Sequence, residues 1–318
     1  MKITRYVALC LWSLHAAFAQ APATLAAIGY STPAAPLPVA PGQVVTLFLR
    51  GVGPLFDGQL RSGQAASVPL PTTLAGLSAR IADLQVSVPI FAVRQENDCL
   101  PGEAANPACL LTSIRVQMPF ELGLEAGLER ELVLEVDGQS SRSFPLNVVS
   151  DNSHVITSCD ATWDTNWASS CSRLIFHPDG TPVSEKAPAT RGETLVLYVW
   201  GLGRTSPAVP TGELSPAGTK LLEAPAIRAV RARFLNSLLT SLTATPRAYS
   251  AEDANDPGSP IAFSGLAPGQ VGLYQVNVPV PQSLQPAASC GNEILANAVL
   301  HITTYFGGTE EMGFCMRP

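Results

Sequence analysis

Charge is scarce in this chain. Asp, Glu, Lys and Arg make up 14% of its 318 residues, against roughly 25% in an average soluble domain. Lysine is nearly absent, with only Lys2, Lys186 and Lys220. A chain this poor in cations, with a formal net charge of −6, offers no basic patch to nucleic acid or to an anionic membrane. Neither partner is expected. Histidine is limited to His15, His154, His177 and His301, so a base beside a nucleophilic Ser or Cys is hard to assemble. No Gly-x-Ser-x-Gly elbow occurs, and Phe263-Ser264-Gly265 only approaches one. No CxxC occurs and no His lies near a Cys pair, so neither a metal site nor a cofactor is expected. Paired carboxylates for glycoside hydrolysis need not be close in sequence, but acids are few and fall mostly in loops. Long hydrophobic runs are missing too. After residue 19 every apolar stretch is cut by Pro, Gly or charge before the ~20 residues a bilayer requires. Sustained 3.6-residue periodicity is absent. Ala224–Leu239 has some helical character, against which Pro225 and its β-branched neighbours weigh.

What the chain does hold is turns, strands and a repeat. Pro 28, Gly 25 and 46% apolar residues suit short strands joined by tight turns, and are too hydrophobic and too uncharged for disorder. Gly42-Gln-Val-Val-Thr-Leu-Phe-Leu-Arg-Gly51-Val-Gly53 returns as Gly192-Glu-Thr-Leu-Val-Leu-Tyr-Val-Trp-Gly201-Leu-Gly203. Three further blocks match in the same order. Leu77–Ile81 pairs with Val230–Phe234, Val116–Pro119 with Val276–Pro279, and Leu132–Val136 with Ala298–Ile302. The chain therefore reads as a tandem duplication. Val44–Leu49 and Leu195–Trp200 are apolar on both faces and bounded by glycine, which places them centrally between layers. Ile114–Met118 and Tyr274–Val278 alternate and close at a proline. Asp137-Gly138, ahead of Phe144–Val149, is a hairpin signal, and Phe306-Gly307-Gly308 repeats it. The repeated glycine turns read as backbone positions with φ > 0 or close strand approach rather than as a phosphate loop, since the third glycine and the following helix are missing. The expected fold class is all-β: two tandem immunoglobulin-like β-sandwiches. The expected divisions are a leader at 1–19, a first sandwich at 20–150, a disulfide-containing linker at 151–187 and a second sandwich at 188–318.

The leader reading rests on Lys2 and Arg5, the apolar run Tyr6–Phe18, and Ala17-Phe18-Ala19 before Gln20. It predicts a secreted or periplasmic protein. Of 7 cysteines, Cys10 falls in the leader, leaving 6. Sequence proximity favours the disulfides Cys99–Cys109, Cys159–Cys171 and Cys290–Cys315.

Gly265-Leu-Ala-Pro-Gly-Gln-Val-Gly-Leu-Tyr-Gln-Val-Asn-Val-Pro279 resembles the signature of an uncharacterised, duplicated domain family of secreted Solibacter and other acidobacterial proteins. Ala40–Val45, Gly51-Val-Gly53-Pro54 and Leu70–Gly76 resemble that family's first half. The resemblance spans most of 39–318. It implies paired immunoglobulin-like sandwiches of the IPT/TIG kind, and no activity or catalytic residue. The three disulfide loops depart from that pattern.

The most suggestive stretch for recognition is Cys159-Asp160-Ala-Thr-Trp163-Asp164-Thr-Asn166-Trp167-Ala-Ser-Ser-Cys171. An exposed Trp buries ring area while neighbouring amides and carboxylates fix orientation. Trp163, Trp167, Asp160, Asp164 and Asn166 are therefore the candidate ligand residues. The competing reading has both rings plugging the junction between the halves. Glu252-Asp253-Ala-Asn255-Asp256-Pro-Gly258 carries calcium-type oxygens, but in no EF-hand order, and reads as a turn. The function expected is a non-catalytic binding or adhesion module for an extracellular glycan, polymer or protein. The alternative is a structural component of the envelope or matrix, and a secreted hydrolase with dispersed carboxylates stands third.

Overall fold

The computed structural model describes residues 23–31, 37–100, 108–123, 128–163, 171–222, 230–239, 259–286, 288–291, 294–306 and 308–318. The leader, the acidic turn at 252–258, and Asp164, Asn166 and Trp167 lie outside them.

Seven longer strands frame the first half, with short strands such as Ser62–Gln64 at the sheet edges: β1 (Thr24–Gly29), β2 (Val44–Arg50), β3 (Leu77–Ile81), β4 (Ile90–Asn97), β5 (Leu110–Gln117), β6 (Leu128–Val136) and β7 (Phe144–Val148). All pair antiparallel, in the order β1-β2-β5-β4 on one sheet and β3-β6-β7 on the other. The second half repeats the plan with β8 (His154–Val155), β9 (Thr194–Trp200), β10 (Val230–Leu239), β11 (Phe263–Leu266), β12 (Tyr274–Pro279), β13 (Ala296–Thr304) and β14 (Gly308–Phe314). Its sheets run β8-β9-β12-β11 and β10-β13-β14. Four strands facing three, in this order, is the constant-type immunoglobulin sandwich. Each half also has a parallel bridge to the end of its last strand, at Val39↔Val148 and Ala189↔Met316. The chain is thus two tandem immunoglobulin-like sandwiches. The described residues contain no helix long and apolar enough to cross a membrane.

The period-2 pattern explains the burial. Val44 to Leu49 is buried throughout, because β2 is central and its outer face is covered as well as its inner one. Val45, Leu47, Leu49, Ile114 and Val116 enter the first core, and Leu195, Leu197, Val199, Tyr274, Val276 and Val278 enter the second. The repeats are not paired identically. Val44 lies opposite Gln117, whose counterparts by sequence are Thr194 and Asn277, yet Thr194 lies opposite Pro279. The slip is two residues, which moves contacts along the strand but keeps each side chain on its face. The residues of 224–239 that are described form strand β10 rather than a helix. Val230 and Ala232 alternate into the core while the backbone pairs with β13, and that ladder outweighs the local propensity.

The linker is part of the second sandwich. His154–Val155 and Ile175–Phe176 both pair with β9. Between them lies the short helix α1 (Ser158–Thr162). All three expected disulfides are formed. The halves also meet directly. The Leu70 amide donates to the Gly212 carbonyl at 2.9 Å, the Gly212 amide to Gln117 Oε1 at 2.7 Å, and the Phe120 amide to Thr211 Oγ1 at 3.0 Å. Phe120, from the first half, packs on the second half's core.

His177 braces the linker to the start of β9. One ring nitrogen meets a Glu193 carboxylate oxygen, and the other lies 3.0 Å from the Ala187 carbonyl. Both neighbours are acceptors, so the protonated ring, with two donors, fits best. Burial works against that charge, but the Glu193 and Ala187 bonds outweigh it and raise the His177 pKa above its ordinary 6.5. A raised folded-state pKa contributes stability that is present in full below the ordinary value and is lost as pH rises through the raised one. Urea unfolding from pH 6 to pH 9 is therefore expected to show falling stability, and His177→Gln to flatten that slope. An unchanged slope in the variant would remove His177 as its source.

Candidate functional site

The outer face of the first half's sheet that holds β1, β2, β5 and β4, edged by Ser62–Gln64, carries Thr46, Ser113, Arg115 and Gln117, between core residues that point the other way. Helix α1 and strand β9 cover it. The helix is short but well specified at its start. Thr157 is its N-cap: its hydroxyl accepts from the Asp160 amide at 3.3 Å, and its own amide donates to the Asp160 carboxylate at 2.9 Å. This reciprocal capping box satisfies two donors that a helix start leaves unpaired. The Cys159–Cys171 bridge closes the loop behind it. Trp163 ends the helix in the left-handed region at φ 47°, a conformation that costs a non-glycine residue about 1 kcal/mol or more.

Asp160 is the hub beneath the site. Its side chain is 1% exposed. It accepts from Ser31 Oγ at 3.0 Å, from the Thr157 hydroxyl at 2.6 Å and from His154 Nε2 at 2.7 Å. Burial alone would raise its carboxyl, but the His154 hydrogen bond and charge and the Thr157 donors outweigh it and hold the pKa at about 2. Residues of the first half, the linker and the second half converge here. The Tyr30 ring stacks on His154 at 3.6 Å and lies 5.7 Å from Trp200. The Tyr30 hydroxyl, its titration pushed up by burial, accepts from Gln43 Nε2 at 2.7 Å. The Arg115 guanidinium sits 4.8 Å over the Trp200 ring, a cation–π geometry. One Arg115 nitrogen donates to the Asp160 carbonyl at 3.3 Å.

Above this floor opens a groove of about 780 Å³. One wall is the sheet-edge strand Ser62–Gln64 with its continuation to Val68, and Phe91 to Arg94 behind it. The end of α1 with Trp163, and Leu214 with Gly269–Val271 of the second half, make the rest; Arg115 reaches it from below. Its volume falls within the ~300–1,000 Å³ usual for ligand sites. None of the described residues lining it is Asp, Glu or His. Two polar hydrogen-bonding groups at its floor are poorly satisfied. Among the described residues the buried Trp163 indole N–H meets no acceptor, and the guanidinium of Arg115 makes the one bond above.

The structure brings two of the five sequence candidates, Asp160 and Trp163, to this place, with Trp163 in the wall. Asp160 faces inward as a positioning residue and presents no carboxylate to the groove. Arg115 was not singled out by sequence. Its only signal is that it is the one charged residue of β5, at an outward position. Ser62–Gln64 and the glycines and alanines of the groove wall carried no signal at all.

No protein-family model and no curated protein matches the chain. Among solved structures it is similar to the Escherichia coli adhesin FdeC, at 12% identity and a TM-score of 0.22, covering 94% of this chain and 66% of that one. It is also similar to the Yersinia pseudotuberculosis adhesin InvE, at 14% identity and a TM-score of 0.20, covering 93% and 59%. The chain thus spans less than two thirds of either. Likeness at these scores adds nothing to what the strand pairing establishes.

Proposed function

We propose that the chain is a non-catalytic binding module of an oxidising, extracytoplasmic compartment, and that it takes an elongated ligand in the groove at the junction of its two sandwiches. The observation that carries the reading is the groove itself. It is large enough for several ligand units, walled by Trp163 and underlain by Arg115. Its described lining supplies no carboxylate or imidazole for proton transfer, the groups that general acid–base catalysis uses most. Three disulfides support the compartment. The buried hub of Tyr30, His154, Asp160 and Trp200 holds the walls in place before ligand arrives, which reduces the ordering cost of binding.

Tryptophan fluorescence of the oxidised protein, titrated with a panel of neutral and acidic polysaccharides, tests the reading. At least one polymer is expected to shift or quench the emission, and Trp163→Ala is expected to weaken its binding about tenfold, as loss of an interface aromatic often does, with the fold unchanged by circular dichroism. A panel that leaves emission unmoved, or a Trp163→Ala protein that binds as well as the parent, would overturn it.

A further inference from the structure

Resting on the groove being a binding site, we infer that its ligand is a carboxylate-bearing polysaccharide, of the uronate type, with Arg115 as the anion receptor and Trp163 as the ring platform. Arg115 holds five N–H donors in a planar fork suited to a carboxylate, and among the described residues one of them is engaged, on a main-chain oxygen. Asp160, whose main-chain oxygen Arg115 meets, has its carboxylate oxygens committed to Ser31, His154 and Thr157. Arg115 is therefore a largely desolvated cation with no carboxylate in contact among the described residues, and burial lowers its pKa. Such a group is costly to keep, and a ligand carboxylate would complete it. Its place on β5 is fixed on both sides, opposite Thr46 and Ala92, and its guanidinium rests 4.8 Å over the Trp200 ring, so the fork is held rather than left free to search.

Three further features set the ligand class. Arg94 stands on the groove wall, its side chain 48% exposed and paired with Glu96 at 2.7 Å, and a ligand carboxylate would share that guanidinium with Glu96. No described lining residue is acidic, although the chain as a whole carries −6. The groove is thus a local exception to the molecule's charge, which favours an anionic ligand there. Small residues make up part of the lining between the cations. Gly63, Ala65, Ala92, Ala161 and Gly269 present backbone and methyl groups, beside one indole. A lining of small residues next to an aromatic ring fits the face of a pyranose better than the separate side-chain pockets that give extended peptides their specificity.

The test is isothermal titration of the full oxidised protein with polygalacturonate, alginate, dextran, arabinoxylan and poly-L-glutamate, at low and at high salt. A uronate polymer is expected to bind about tenfold or more tightly than either neutral polymer, and to weaken with salt. Arg115→Gln is expected to remove about tenfold of that affinity, and Arg115→Lys, which keeps the charge without the fork, to restore part of it. Because Arg115 also packs on Trp200, a second variant avoids the floor. Ala66→Glu places an acid at an exposed point of the wall, and is expected to weaken uronate binding severalfold while leaving dextran titrations as they were. Equal binding of neutral and acidic polymers, indifferent to Arg115→Gln and Ala66→Glu, would overturn the charge selectivity and leave the groove reading standing. Poly-L-glutamate binding as tightly as polygalacturonate would overturn the glycan assignment. No binding by any polymer would remove the groove reading, and this inference with it.

Discussion

Asp160→Asn is expected to lower the unfolding free energy by about 3 kcal/mol at pH 7, the scale of losing hydrogen bonds to a buried charged group. The equivalent fall in melting temperature is roughly 6–12 °C. An amide of the same shape keeps the volume but presents its NH2 where the carboxylate accepted from Ser31, His154 and Thr157. The helix loses half of its capping box, and the His154 ring loses the partner that orients it against Tyr30. The pH dependence identifies the cause. The folded-state pKa of about 2 lies below the ordinary 3.8, so the stabilisation is present above about pH 4 and is lost as pH falls toward 2. By the usual conversion the shift corresponds to roughly 2.5 kcal/mol, in keeping with that loss. Urea unfolding of parent and variant across that range is expected to show two curves that separate above pH 4 and converge near pH 2. A variant within about 1 kcal/mol of the parent at pH 7 would show that the hub is not what holds the junction. Because Trp163 closes the helix that Asp160 opens, the variant is expected to lose groove affinity as well as stability.

The duplicated sandwich was legible because its signals are local and period-2. Glycine-bounded apolar runs mark the central strands, Asp137-Gly138 marks a turn that both φ values, 49° and 78°, confirm as left-handed, and each cysteine pair is closed by the neighbours that sequence proximity suggests. The groove was not legible because nothing local builds it. Its walls come from the 60s, the 90s, the α1 helix and two loops of the second half, brought together by the packing of one sandwich on the other. Burial of Asp160 was equally invisible. An aspartate beside two tryptophans in a disulfide loop looks like a ligand group until Ser31, 129 positions earlier, and His154 are seen to close on it. The linker misleads for a related reason. Its aromatic content marks packing, but only the pairing of His154–Val155 with Trp200 and Val199 shows it to be a strand of the second sheet. The two-residue slip between repeats has no sequence signal either, since it leaves every inward residue inward.

Gly201→Ala is expected to cost about 3–5 kcal/mol, near the upper limit for one methyl group. The repeated glycine turn was read as backbone freedom or close approach, and at Gly201 the structure shows both. Its φ is +78°, and an added Cβ would stand 2.2 Å from the Asn152 carbonyl oxygen and 3.1 Å from the Gln43 side chain. The left-handed backbone alone costs an alanine about 1–2 kcal/mol. The remainder comes from Asn152, which cannot yield without losing contacts of its own. Its amide donates to the Gly201 carbonyl at 2.7 Å, its carbonyl accepts from Gln43 Nε2 at 3.3 Å, and its side chain donates to the Pro38 carbonyl at 2.6 Å. Those bonds tie the first half, the linker and β9 together, so a shift there opens the junction under the groove. Gly58→Ala separates the two terms. Gly58 has φ +80° and nothing within 4 Å of an added Cβ, so its replacement is expected to cost about 1–2 kcal/mol of backbone strain and no more. Urea unfolding of both variants measures the difference directly. A Gly201→Ala cost no larger than that of Gly58→Ala would mean that the junction yields freely, and the groove would then have to be treated as a hinge rather than a preformed site. A cost several-fold larger, accompanied by a red shift of the Trp200 emission, would show that the repeated glycine is kept because the linker carbonyl lies where any side chain would be.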